Sequence, residues 1–189
     1  MLINDQISDE KLIGFIIDSD QEAFAFIIDR YESKLRAYIR RLTNNSLEVD
    51  DLVQQTLVNS FISLKSFDQN QKFSSWIYRI AHNLAINWLK KKKINIYLGQ
   101  DENLARTIKA DIDIHEEVSN QESIRLISEA VNSLPEKFKE PIILKYIEDK
   151  TYDEISEIIR KPKNTIGTLI SRAKIMLKKE LNKTYDSEY

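Results

Sequence analysis

Basic side chains gather at two places in this sequence, in stretches almost free of acid. Residues 72–93 hold Lys72, Arg79 and the run Lys90–Lys93 without one carboxylate, a charge of +6. Residues 160–183 hold eight bases against Glu180 alone, a charge of +7. Elsewhere the sign reverses: residues 1–60 carry eleven acids and six bases, and residues 96–122 carry seven acids against Arg106 and Lys109, −5 in each case. The whole chain nets only −2, so the distribution carries the information. Two such basic blocks suit two separate contacts with a polyanion; a single lysine run would equally serve the negative end of a helix. Other chemistries lack their residues. There is no cysteine, which excludes thiol catalysis, disulfides and iron–sulfur ligation, and His82 and His115 are too far apart for a zinc pair. No phosphate-cradling glycine loop and no nucleophile–base pair is present, so neither enzyme nor cofactor is expected.

The elements that must position these bases are helices. Only 3 Gly and 3 Pro occur in 189 residues, too few for hairpin-rich sheets, and 42% of residues are hydrophobic, enough for a core. That length suits one large domain or two small ones. No apolar run approaches a bilayer span, and Met1–Asp5 has no basic stretch before an apolar segment. A soluble, cytoplasmic protein is therefore expected.

Ser19-Asp20-Gln21-Glu22 has the form of a capping box with Ser19 as cap. It precedes Phe24, Ile27, Ile28, Tyr31, Leu35, Tyr38 and Ile39, spaced as a one-sided helix requires. Thr43–Ser46 breaks that pattern, and a second helix is expected over about 47–64, with Leu52, Leu57, Phe61 and Leu64 inward. Phe67–Lys72 reads as a polar loop. Ser74 or Ser75 would cap a third helix, with Ile77, Ile80, Ala81, Leu84 and Trp88 on its inner face. Periodicity decays after Ile96 and returns at Ile124, Leu126, Ile127 and Val131. Pro135 suits the first turn of a helix carrying Phe138, Ile142, Ile143, Tyr146 and Ile147. Thr151-Tyr152-Asp153-Glu154 is another capping box, opening a short helix with Ile155, Ile158 and Ile159; Arg160–Lys163 turns the chain. Asn164 would cap a last helix with Ile166, Ile170, Ala173 and Leu177 inward. A short helix, a tight turn and a longer basic helix compose a helix-turn-helix, whose second helix can enter a major groove. The expected fold is all-α: two small helical domains, 8–95 and 121–183, joined by an acidic linker over 96–120, with the second ending in a helix-turn-helix and a tail over 184–189.

Three blocks carry a resemblance. Val49-Asp50-Asp51-Leu52-Val53-Gln54-Gln55-Thr56 is similar to E-D-L-V-Q-E-T, and Phe73-Ser74-Ser75-Trp76-Ile77-Tyr78-Arg79-Ile80-Ala81-His82-Asn83 to F-x-S-W-L-Y-R-I-A-R-N. Leu134-Pro135-Glu136, Tyr152-Asp153-Glu154-Ile155-Ser156 and Thr165-Ile166 match L-P-E, Y-x-E-I-A and T-V in order. Across about residues 10–183 the chain resembles a bacterial RNA polymerase sigma factor of the sigma-70 family, extracytoplasmic-function (ECF) type. The resemblance implies a non-catalytic subunit that binds core RNA polymerase and directs it to promoter DNA, with no small-molecule substrate. The first domain would read the −10 element and the second the −35 element. An anti-sigma factor is a frequent further partner in the family.

By resemblance, Asp50, Asp51, Leu52, Gln54 and Gln55 would bind the polymerase. The −10 strand would be held by Asn70, Gln71, Lys72, Phe73, Trp76, Tyr78, Arg79, Asn83, Lys90 and Lys91. This segment combines aromatic rings with a cationic track, the two ingredients for holding single-stranded bases. The loop before the helix would take a base flipped from the non-template strand; a merely solvated polar loop is the plainer alternative, and Trp76, at the edge of the apolar stripe, suits core or DNA equally. The −35 duplex would be met by Lys163, Asn164, Thr165, Thr168, Ser171, Arg172 and Lys174. The chain departs from the family at Gln55, where Glu is usual, at Arg160, where Gly is usual, and at Gly167 and Leu169, where basic residues are usual. Two other readings stand beside it. A stand-alone helix-turn-helix regulator would account for residues 130–183 only. A degenerate sigma-like chain that binds polymerase without directing it is favoured by the missing bases at 167 and 169.

Overall fold

A computed structural model describes residues 7–44, 46–97 and 121–187. Every element in them is helical: α1 (Asp9–Asp18), α2 (Phe24–Leu42), α3 (Val49–Ser63), α4 (Phe73–Tyr97), α5 (Gln121–Ser133), α6 (Glu136–Tyr146), α7 (Tyr152–Ile159) and α8 (Lys163–Ser187), with 3₁₀ turns at Gln21–Ala23 and Leu64–Ser66. The chain divides into two units, one of Met1–Ile94 with Glu157–Arg160 and the other of Asn95–Ser156 with Lys161–Tyr189. The linker expected over 96–120 lies outside the described residues from 98 onward. α8 continues through 184–187, so most of the expected tail is helix.

In the first unit α2 supplies the spine. Phe24, Ile27, Tyr31, Leu35, Tyr38, Ile39 and Leu42 recur at three- and four-residue steps and are all buried, as a helix with one apolar stripe requires. α3 packs on it through Val49, Leu52, Val53 and Leu57. Thr56 and Ser60 share that buried face because their hydroxyls donate to the carbonyls of Leu52 and Leu57, each at 2.7 Å, which removes the cost of burying an unpaired hydroxyl. α4 buries Phe73, Trp76, Ile77, Tyr78, Ala81 and Ala85. α1, which the periodicity alone did not single out, is tied to α2 by polar contacts. Arg30 meets Asp9 at 2.8 Å and the Ile7 carbonyl at 2.9 Å, and the Tyr31 hydroxyl donates to Asp9. Burial, and then the Asp9 carboxylate, push the Tyr31 phenol well above its ordinary pKa, so it stays a neutral donor.

Several local expectations are corrected. Ser19 closes α1, and Asp20 instead caps the following 3₁₀ turn by accepting from the Glu22 N–H at 2.9 Å. Phe61 lies on the rim of the core, 39% exposed, with its ring edge-on to Phe24 at 5.0 Å. Phe67, assigned to a polar loop, is a buried core residue. Neither Ser74 nor Ser75 caps α4. The helix begins at Phe73, the Lys72 carbonyl accepts from the Trp76 N–H at 3.2 Å, and the Phe73 N–H donates to the Glu10 carboxylate of α1 at 3.1 Å. A carboxylate there satisfies an orphan donor and complements the helix dipole. Ser75 is buried, and its hydroxyl has no hydrogen-bond partner among the described residues.

In the second unit Ala130, Val131, Leu134, Phe138, Ile142, Ile143, Leu144, Ile155, Ile166, Ile170 and Ala173 form the core. α8 packs on α5 and α6. Ile127, Tyr146 and Ile147, which belong to the apolar patterns of this half, are 53%, 55% and 43% exposed, while α5 turns its Ala130 side inward. The Ile124 side chain lies outside the described set. Two helix starts are shifted, that of α6 one residue later than expected and that of α8 two residues earlier. Pro135 is itself the cap of α6, its carbonyl accepting from the Phe138 N–H at 2.8 Å. The Pro162 carbonyl accepts from Thr165 at 2.8 Å and Ile166 at 3.1 Å, so Asn164 falls within the first turn of α8.

The helix-turn-helix is closed by local chemistry. Thr151 and Glu154 form a reciprocal capping box: the Glu154 carboxylate accepts from the Thr151 N–H and hydroxyl at 2.8 and 2.7 Å, and the Thr151 oxygen accepts from the Glu154 N–H at 3.3 Å. At the other end of α7 the Lys161 N–H returns to the Ser156 carbonyl at 3.3 Å, and the Ser156 hydroxyl donates to the Lys161 carbonyl at 2.6 Å. This closure places Arg160 at φ 56°, a left-handed conformation that costs a residue with a Cβ about 1–2 kcal/mol. Arg160→Gly removes that cost and adds chain entropy to the unfolded state. The net expectation is a gain of about 0.5–1 kcal/mol, read as a higher urea midpoint for the full chain.

Candidate nucleic-acid interface

The segment 68–72 is a loop pinned at both ends by aromatic rings. Phe67 before it and Phe73 after it meet edge to face, with ring centres 5.4 Å apart. Trp76 lies 5.3 Å from Phe67 and 5.5 Å from Phe73, and Tyr31 lies 5.6 Å from Phe73. Edge-on pairs at these separations contribute about 0.5–1.5 kcal/mol each beyond burial. The loop's own backbone is folded by Asp68. Its carboxylate accepts from the Asn70 N–H at 3.0 Å, from the Asn70 side-chain amide at 2.9 Å and from the Gln71 amide at 3.4 Å, while its carbonyl accepts from the Gln71 N–H at 2.9 Å. These N–H donors, that of the Asn70 backbone foremost, hold the Asp68 carboxyl below its usual pKa. Asn70, Gln71 and Lys72 are exposed.

Three of the expected strand contacts are not at the surface. Phe73, Trp76 and Tyr78 are 0%, 8% and 2% exposed; Tyr78 packs on Tyr38 with ring centres 5.2 Å apart. Their rings are spent on the core, so the correction is one of role: they hold the loop and α4, and offer no face to a base. The polar residues do come together. Arg79, Asn83, Asn87 and Lys90 succeed one another at four-, four- and three-residue steps, which puts them along one side of α4. From Lys72 to Lys90 this side is about 27 Å long at 1.5 Å per residue. Asn83, Lys90 and Lys91 are exposed and Arg79 is half-buried, with burial lowering the guanidinium pKa from its ordinary value. The Lys92 ammonium lies over the Trp88 ring at 4.7 Å.

On α3, Asp50, Asp51, Gln54 and Gln55 are exposed together, whereas Leu52 is 5% exposed and belongs to the core. Asp50 is ion-paired with Arg36, which also meets Glu32 at 2.8 Å. The same face continues into Val58 and Ile62, 53% and 73% exposed.

On α8, a groove of about 670 Å³ is lined by Tyr152, Lys163, Asn164, Gly167, Thr168, Ser171 and Arg172. Ile166, Ile170 and Ala173 face the core, so the groove residues form the outer side of the helix. Lys163 bridges to Asp153 at 2.8 Å, Thr168 turns its hydroxyl back to the Asn164 carbonyl at 3.0 Å, and the Lys174 ammonium lies 5.9 Å from the Tyr146 ring centre. Thr165 is exposed in the first turn. A Cβ at Gly167 would meet nothing nearer than Tyr152 at 3.9 Å. Leu169 is half-buried.

Two residues that shape the loop were missed in the sequence. Asp68 had a signal, an acid two residues before an Asn, the spacing of a side-chain-closed turn. Glu10 had none, because its partner is 63 residues away. Among the described residues there is no metal-ligand cluster and no helix long and apolar enough to cross a membrane.

Residues 27–94 match the family model for sigma-70 region 2, and residues 124–177 match that for sigma-70 region 4. The chain is 36% identical over 181 residues to the ECF RNA polymerase sigma factor SigW of Bacillus subtilis, covering 91% of this chain and 96% of that one. It is 29% identical to the ECF RNA polymerase sigma-E factor of Haemophilus influenzae, covering 94% and 97%. Among solved structures, the sigma factor RpoE bound to the anti-sigma factor NepR from Bartonella quintana superposes with a TM-score of 0.68 over 84% of this chain and 96% of that one, at 22% identity. CnrH bound to the cytosolic domain of CnrY superposes with a TM-score of 0.67 over 92% and 97%, also at 22%. These two likenesses concern the fold; the sequence matches and the paired region 2 and region 4 units establish that the chain belongs to the sigma-70 family of RNA polymerase sigma factors, in its ECF branch.

Proposed function

We propose that this chain carries core RNA polymerase to promoters through three surfaces: the exposed side of α3 for the polymerase, the 68–72 loop with the polar side of α4 for the melted −10 strand, and the groove of α8 for the −35 duplex. The chain has no reaction of its own in this reading, acts in the cytoplasm, and has an anti-sigma protein as a further partner. The observation that carries it is the division within residues 67–91, where the rings are buried and the loop amides, Lys72, Asn83, Lys90 and Lys91 are exposed. A helix so anchored presents a fixed cationic and hydrogen-bonding track, as capture of an unstacked strand needs. Asp51, Gln54 and Gln55 supply a polar docking face, with Leu52 acting behind it from the core. The α8 groove matches a recognition helix laid in a major groove. Run-off transcription from a genomic promoter pool with core polymerase tests the whole: new starts preceded by a shared pair of elements are expected, and tight polymerase binding without new starts would instead favour the titrating relative.

The surfaces make two mutational outcomes testable. Lys72→Ala and Arg79→Ala each lower open-complex formation about tenfold, the worth of one charged hydrogen bond, while leaving binding to closed duplex unchanged; permanganate footprinting against gel shift separates the two. Gly167→Lys, for which the groove has room, raises affinity for −35 duplex and steepens the slope of log K against log salt by about 0.9. An unchanged slope would mean that position 167 does not face a phosphate.

A further inference from the structure

We propose that α1 is the positioning element of the strand contact, and that Glu10 is its positioning residue: it holds the 68–72 loop and the start of α4 in the arrangement an unstacked −10 strand meets. The inference rests on the reading of that loop as the −10 contact. It adds a helix that lies ahead of residues 27–94, the part of the chain that matches region 2.

Contacts of α1 follow one another along the segment that enters, forms and leaves the loop. α1 packs on the 3₁₀ turn Leu64–Ser66, which leads into Phe67. Gly14 leaves room for the Gln69 side chain, whose amide oxygen and nitrogen would each lie 3.6 Å from a Cβ at residue 14. The Glu10 carboxylate accepts from the Phe73 N–H at 3.1 Å, where the loop ends. Glu10 and Gly14 are four residues apart and so share one face of the helix. α1 is itself held in place, since Leu12, Ile13 and Ile16 are buried and Asp9 is bonded to Arg30 and Tyr31 of α2. The Tyr31 ring packs on Phe73, so Asp9 through Tyr31, and Glu10 directly, both bear on the residue that starts α4.

The loop needs such support because residues 68–72 are all exposed. The hydrogen bonds of Asp68 fold the loop on itself without tying it to a helix. A loop left unheld must be ordered when the strand binds, and that entropy is subtracted from the affinity. Glu10 suits the task chemically. The first N–H groups of a helix have no partner within it, and a carboxylate both pairs one and complements the dipole. Without Glu10 the N–H of Phe73, a residue that is 0% exposed, loses its acceptor; the first turn of α4 then opens and releases the end of the loop. The exposed side of α3 is held by α2 and keeps its geometry.

Three measurements on the full chain test this: hydrogen exchange over residues 67–75, affinity for core polymerase, and open-complex yield by permanganate footprinting. Glu10→Ala raises exchange over 67–75, leaves polymerase affinity unchanged and lowers open-complex yield about tenfold, the worth of one charged hydrogen bond. Glu10→Gln, whose amide oxygen can still accept from the Phe73 N–H, brings the yield back to within about threefold of the wild type. Lys11→Ala, on the exposed side of the same helix, changes none of the three. Unchanged exchange in Glu10→Ala, raised exchange without loss of opening, loss of polymerase affinity along with opening, or no rescue by Glu10→Gln overturns the proposal and leaves the sigma reading intact. Failure of the wild type to form any open complex overturns the sigma reading itself.

Discussion

The contact between Phe67 and Phe73 is the constraint on which the first unit turns. It closes a five-residue polar loop between two buried rings, so that residues with no apolar surface of their own are held in one place. Trp76 and Tyr31 complete the cluster around Phe73. Because α4 starts at Phe73, the same cluster sets where the helix begins, and therefore which of its residues fall on the polar side that carries Asn83 and Lys90. Moving that start by one residue would rotate the side by about 100° and separate the basic residues from the loop.

Polar groups finish what the rings begin. Glu10 reaches across from α1 to cap the first N–H of α4, and Asp9 of the same helix holds Arg30 and Tyr31 of α2. A ten-residue helix at the edge of the unit thus fixes the start of the helix that bears Asn83 and Lys90. Asp68 does the same within the loop. Aromatic burial gives these contacts a stable platform, and the hydrogen bonds give the platform a direction.

The second unit solves a different problem with fewer means. Its two helices are joined by a turn that demands a left-handed residue, and this chain supplies Arg160 rather than glycine. The Thr151–Glu154 box and the Ser156–Lys161 closure hold the turn regardless. The groove that results has a glycine where the family carries a base, with space left above it. Charge on this surface comes from Lys163 and Arg172, and Lys163 is already shared with Asp153.

Much of this was legible along the chain. The all-α class, the stripes of α2 and α8, the Thr151 box and the basic blocks are local patterns, and local patterns survive folding because helix geometry fixes which residues share a face. The sequence motifs also identified the family before any coordinates did. What the sequence misplaced were residues whose fate depends on distant partners. Phe67 looked like loop and is core; Phe73, Trp76 and Tyr78 looked available to bases and are buried. A ring's type says that it will be useful, and only the packing of α1, α2 and α4 says whether it is used inward or outward. The cap from Glu10 to Phe73 is the clearest case, since its 63-residue separation hides it from any periodicity. Composition and spacing determined the helices and the basic blocks they carry; tertiary packing alone decided which side chains stay exposed, because burial is settled by the neighbours a residue acquires only when the chain has closed on itself.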